Sequence, residues 1–167
     1  MGSRLAITWF SLSSLVVIWD ALFVFLRPRS LPGGDLHFLF KPYGLYITVD
    51  TNYGDMEHSF TICQSWMNVA EVCLQLYTVV LLLKGQKSAS FWAFLVSSLT
   101  LWKTLIYMLQ YTSLCNGSHL VQHLDWSTFL CLFIVPNGVW IVVPSIFLFS
   151  YGAEILNIVA THKEKKR

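Results

Sequence analysis

Hydrophobic positions along the chain gather into four long runs, at 5–26, 60–83, 91–111 and 128–150, separated by polar segments. A helix needs about 20 mainly apolar residues to cross the hydrocarbon core of a bilayer, so each run predicts a transmembrane α-helix. The fourth continues as an amphipathic extension through Ile158. The first run exceeds the apolar core of a signal peptide, about 7–15 residues. Arg27-Pro28-Arg29 follows it in place of a small-residue cleavage site, so it is expected to be a span. The expected fold class is an all-α integral membrane protein, a four-helix transmembrane bundle enclosing an intramembrane pocket. It occupies residues 1–160 as one domain, followed by a basic tail at 161–167.

The connections differ. Residues 27–59 hold Pro28, Pro32, Gly33, Gly34, Pro42, Gly44 and Gly54, a density that breaks regular structure. Within this loop, 36–49 is aromatic and apolar and is expected to lie on the membrane or fold over the bundle. Residues 84–90 form a tight connection and 112–127 a medium one. No internal repeat is present.

Hydrophobic residues make up 55% of the 167 and charged ones 12%. A soluble domain carries about 25% charged residues, so composition also points to a membrane protein. Disorder requires the opposite balance. A net charge of +2 with scattered basic residues leaves no footprint for nucleic acid.

Four spans put the N-terminus, the 84–90 loop and the C-terminus on one side. Arg4, Lys84, Lys87, Lys163, Lys165, Lys166 and Arg167 are there, against Arg27, Arg29 and Lys41 on the other. The positive-inside rule then makes both termini cytoplasmic. The sequon Asn116-Gly117-Ser118 falls on the lumenal side. Lys163 and Lys165 stand where a dilysine retrieval pattern would place a protein in the endoplasmic-reticulum membrane; an ordinary basic flank explains them equally well. Cys63, Cys73 and Cys131 fall in spans and read as small buried apolar groups. With no CxxC pattern, neither a disulfide framework nor a zinc site is expected. His37, His58, His119 and His123 lie in loops without the spacing of a metal set, and no cofactor motif is visible.

Ionisable residues within a span cost about 2.5–3.5 kcal/mol each by insertion scales and are functional candidates. Three occur: Asp20, Glu71 and Lys103. In the second run Gln64, Asn68, Glu71 and Gln75 follow helical spacing and share one face. The third run carries Thr100, Lys103, Thr104, Tyr107 and Gln110, and the fourth Asn137 and Trp140 between Pro136 and Pro144. At about 1.5 Å per residue, these groups fall in one layer of the lumenal half, on all four helices. That layer predicts a pocket with polar groups set among aromatic ones. Plainer readings compete with it. Glu71 and Lys103 would form a structural ion pair, and Gln64, Asn68 and Gln75 would serve as interhelical hydrogen-bond glue. Asn137-Gly138 would relieve a kink beside Pro136, and Trp19, Trp66 and Trp102 would pack or face lipid.

The acid late in the first span, Phe60-Thr61-Ile62-Cys63 at the start of the second, and Pro136-Asn137-Gly138-Val139-Trp140 in the fourth resemble the emopamil-binding protein superfamily, whose shared module is the EXPERA domain. The stretch from Arg27 to His37 and Trp102-Lys103-Thr104 look most like fungal-type EXPERA proteins. The superfamily includes a sterol Δ8-Δ7 isomerase, the sigma-2 receptor and proteins of terpenoid pathways. The resemblance implies that Asp20 matches the family's span-one acid, and that Asn137 and Trp140 match residues that steady a carbocation or a ligand ammonium. Three features depart from the isomerase pattern, one being that Lys103 has no counterpart in it. Val16 stands where it has a histidine, and Ser65 where it has its second acid. Dimers are common in the superfamily, but no GxxxG pair supports a homodimer here.

Two mechanisms follow from these residues. As an enzyme without a cofactor, the protein would use protonated Asp20 to protonate a C=C bond or epoxide of a sterol or terpenoid. Asn137 and Trp140 would steady the cation, and Glu71, Gln64 or Tyr107 would receive or relay the leaving proton. Gln64, Asn68, Lys103 and Tyr107 are the expected substrate-binding residues. As a binding protein resembling the sigma-2 receptor, it would pair ionised Asp20 with a cationic amphiphile. The protonation state of Asp20 separates the two.

Overall fold

A computed structural model describes the backbone of residues 3–164 and the side chains of residues 3–161; the dilysine pattern falls outside the described side chains. All regular structure among the described residues is helical. Helix α1 spans Ser3–Phe25, α2 Lys41–Val49, α3 Ser59–Leu83, α4 Ala89–Leu109, α5 Trp126–Thr128 and α6 Val135–Glu164. A π-helical turn, Phe129–Ile134, joins α5 to α6 into one continuous rod. Four helices are long and apolar enough to cross a membrane: α1, α3, α4 and the rod from Trp126 to Thr161. The chain is therefore an all-helical membrane protein.

Helix α1 packs mainly on α3, α4 mainly on α6, and α3 on α4. One core layer joins Ala6 and Phe10 of α1, Ala93 and Val96 of α4, and Phe147 and Tyr151 of α6. The small residues at 6 and 93 are fully buried, which lets backbones approach closely where lipid offers no hydrophobic drive. Large side chains such as Leu15, Trp66, Trp102 and Phe149 point outward, as a lipid-facing surface requires.

Local chemistry sets the element ends. Gly85 adopts φ +61° after α3, with its N–H on Leu82 O and the Gln86 N–H on Leu81 O, a Schellman stop that favours glycine. Asp125 caps the rod by accepting the Thr128 N–H at 3.0 Å, which satisfies one of the free N-terminal amides. Pro136 has no N–H to continue the α-helical ladder, and the widened π turn ends at Ile134, two residues before it.

The structure corrects two sequence expectations and lengthens one element beyond its expected ends. The 27–59 loop is not irregular throughout. Its centre forms α2, whose Pro42 lies in the first turn, where a missing N–H is tolerated. The fourth helical rod starts at Trp126 and runs without interruption to Glu164, because the amphipathic extension continues the same helix. The intramembrane cysteines are not buried: Cys63, Cys73 and Cys131 are exposed, as is Cys115. A thiol facing lipid tails loses nothing relative to one in the core, so an apolar residue in a span does not report burial.

Candidate functional site

Helix α2 lies against the end of α1. The Tyr43 ring stacks on Phe23 with centroids 4.1 Å apart and planes at 12°, and the Tyr53 ring runs nearly parallel to both. Phe23 and Asp20 are three apart on α1 and so share a face. The stack therefore delivers two phenols to one carboxyl. Tyr43 donates to Asp20 Oδ1 at 2.6 Å and Tyr53 to Oδ2 at 3.3 Å. From α3, Asn68 Nδ2 donates to Oδ2 at 2.7 Å.

Asn68 also links Asp20 to the basic group, since its Oδ1 accepts from Lys103 Nζ. Lys103 in turn pairs with Glu71 Oε2 at 2.6 Å, with the Glu71 side chain 3% exposed. Glu71 Oε1 accepts from Thr100 at 2.7 Å and from Gln75 at 2.8 Å. Gln64 Nε2 donates to the Lys103 carbonyl at 3.3 Å. Removing one partner of such a buried pair costs about 3–5 kcal/mol, so Glu71 and Lys103 hold α3 to α4.

On α6, Asn137 Nδ2 donates to the Phe133 carbonyl of its own helix at 2.8 Å, beside Pro136. Trp140 packs on Trp9 of α1 with centroids 5.3 Å apart. A cavity of about 390 Å³ opens between α1, α2, α3, α4 and α6. Its wall brings together Asp20, Gln64, Asn68, Glu71, Lys103, Tyr107, Asn137 and Trp140, the eight residues expected to carry catalysis and binding, but not Gln75 or Gln110 of the same predicted layer. Among the described residues no group of three or more His, Cys, Asp or Glu side chains could hold a metal ion.

A second network was not visible in the sequence. Tyr107 of α4 donates to Asp50 Oδ2 and shares a 2.6 Å hydrogen bond with Tyr46 of α2. The Asn52 N–H donates to Asp50 Oδ1 at 3.1 Å. Asp50 is 1% exposed. Burial pushes its carboxyl above the usual carboxylate range, and hydrogen bonds from Tyr107 and Tyr111 oppose that rise. Burial, reinforced by the nearby carboxylates, holds the phenols of Tyr43, Tyr46 and Tyr53 protonated far above the ordinary tyrosine range. Sequence reasoning passed over Tyr43, Tyr46, Asp50 and Tyr53. The available sign was the aromatic character of 36–49 inside a loop otherwise rich in proline and glycine.

No family model matches the chain. Among curated proteins it is similar to isomeliandiol synthase from Ailanthus altissima, at 23% identity over 166 residues, covering 99% of this chain and 77% of that protein.

Proposed function

We propose that this membrane protein isomerises or cyclises a sterol or terpenoid lipid by acid–base chemistry within the cavity, on an EXPERA-type bundle and without a cofactor. The observation that carries the reading is the Asp20 carboxyl in the wall of a large, mainly apolar cavity that also holds Asn137 and Trp140. Protonated Asp20 gives its proton to a C=C bond or an epoxide oxygen. The Trp140 face and the Asn137 carbonyl dipole steady the resulting cation. Loss of a proton elsewhere completes double-bond migration or ring closure. Similarity to a protein named isomeliandiol synthase supports a terpenoid substrate. The substrate enters from the bilayer. The protein resides in the endoplasmic-reticulum membrane with both termini in the cytoplasm.

The three donors on Asp20 favour one further reading, in which an ionised Asp20 holds the ammonium of a cationic amphiphile without turnover. One experiment separates the two. Purified protein in detergent and D₂O is incubated with sterol and terpenoid panels, with Asp20→Asn in parallel, and products are read by mass spectrometry. The enzyme reading expects a rearranged product that requires Asp20, deuterated at carbon where the group protonated is a C=C bond. Saturable amine binding with no product from any lipid overturns it in favour of the binding protein.

A further inference from the structure

A reaction that begins by protonating an alkene needs a second group to remove a proton. Glu71 is poorly placed for that role: Lys103, Thr100 and Gln75 already occupy both of its oxygens. Another buried carboxylate lies behind the cavity wall. Tyr46 and Tyr107 line the cavity, while Asp50, from the turn after α2, does not. The hydrogen bonds run in one direction. Tyr107 has its single hydrogen on Asp50, so the 2.6 Å bond between the two phenols must be donated by Tyr46. The order is Tyr46 to Tyr107 to Asp50, leading away from the cavity.

We infer that Asp50 is the terminal acceptor of the proton lost from the substrate cation, reached through Tyr46 and Tyr107. This rests on the acid–base reading above. A C–H bond next to the cationic carbon breaks, and its electron pair becomes the new C=C bond. The proton goes to the Tyr46 oxygen, the Tyr46 hydroxyl proton to Tyr107, and the Tyr107 proton to the Asp50 carboxylate. Cation and carboxylate become a neutral alkene and a carboxylic acid, with no oxidant or reductant. Tyr46 is the group that meets the substrate, and Asp50 is a positioning residue acting through it. Burial makes the Asp50 carboxylate a stronger base than an exposed one. Turnover closes when Asp50 loses its proton to solvent and Asp20 regains one.

The test uses the full chain in D₂O with sterol and triterpenoid alkenes whose double bond carries a vinylic hydrogen as probes. The wild type, Asp20→Asn, Asp50→Asn, Asp50→Glu and Tyr107→Phe are compared, each checked for a monodisperse elution profile. In Asp50→Asn, Asp20 still delivers a deuteron, and a proton returns to it from the same carbon. Recovered substrate should therefore carry deuterium while product falls at least tenfold; Asp50→Glu should restore product. Asp20→Asn should abolish both. Wild-type product formation by Asp50→Asn overturns the inference, as does equal loss of exchange and product in a folded Asp50→Asn protein, which marks a purely structural role. If Asp50→Asn does not fold, the same split is read in Tyr107→Phe, and its absence there counts equally against the relay. A wild type that labels no alkene overturns alkene protonation by Asp20, and the relay falls with it.

Discussion

Tyr43 donates its phenolic hydrogen to Asp20 across 2.6 Å, joining residues 23 positions apart and tying α2 to α1 at the wall of the cavity. Stacking on Phe23 holds the ring in place, so the hydroxyl is pre-aimed and the bond costs little side-chain entropy. Tyr43→Phe keeps the stack and removes only the bond. Stability should fall by about 1 kcal/mol, the usual net worth of one hydrogen bond. Hydrogen exchange measured by mass spectrometry should rise over residues 37–53 and stay unchanged in α4. Unchanged exchange in the loop would show that the aromatic stack alone holds it.

The Lys103–Glu71 pair allows a sharper separation of structure from chemistry. Lys103→Met strands a carboxylate that is 3% exposed, and the expected loss is about 3–5 kcal/mol. Adding Glu71→Gln should recover most of it, because the amide can still bond Thr100 and the buried charge is gone. Thermal unfolding of the single and double variants in one detergent tests this. Turnover by the double variant within about tenfold of wild type would mark the pair as scaffold. A loss of about 10²-fold or more in a folded protein would give Glu71 a part in proton transfer.

The four spans were legible in the sequence because length and apolarity define them and neither depends on a distant partner. The eight wall residues were legible for a related reason: a polar group inside a span has few places to go, and helical spacing says which of them share a face. Asp50 was not legible. It reads as one of several acids in a polar loop, and only its contact with Tyr107, 57 positions away, removes it from water. Tyr43 and Tyr53 were missed likewise, since their roles come from stacking on Phe23 rather than from any local period. Burial of the cysteines was misjudged because lipid and protein interior select the same side chains.

Asp50 also gives the protein a predictable pH response. Its folded-state pKa lies above the ordinary 3.8, chiefly through burial. The folded state therefore binds the proton more tightly than the unfolded chain. The stabilisation from this group is complete below about pH 3.8 and is lost as pH rises through the folded pKa. Warming the wild type in detergent at several pH values between 4 and 7, beside Asp50→Asn, isolates the contribution. The difference in unfolding temperature, variant minus wild type, should grow as pH rises. Asp35 works in the opposite sense: its hydrogen bond to Arg29 lowers its pKa, so its stabilisation fades as pH falls. Because that pair is exposed, its effect should be small and screened by salt.

Trp140 tests the cation. A tryptophan face contributes about 0.5–2 kcal/mol to holding a cation, which corresponds to about 2–30-fold in rate if it acts only in the transition state. Trp140→Leu should lower kcat/KM by that amount, and Trp140→Phe by less, since the π face is kept. Trp140 also packs on Trp9, so both variants need a matched stability measurement. Equal loss in Leu and Phe variants of wild-type stability would point to shape rather than charge.

Membrane orientation can be read from the protein's own thiols. Cys115 is exposed and lies in the connection after α4, near Asn116 with its left-handed φ of 58°. The other three cysteines are exposed on helices or the π turn of the membrane-spanning rods, where lipid shields them from a charged reagent. The proposed orientation puts Cys115 in the lumen. In sealed microsomes a membrane-impermeant maleimide should therefore leave the protein unlabelled. Opening the vesicles with a mild detergent should add one label, and Cys115→Ser should remove it. Labelling of Cys115 in sealed vesicles would invert the topology and move Asp20, Asp50 and the cavity to the cytoplasmic half of the bilayer. The proton released from Asp50 would then pass to the cytoplasm instead of the lumen.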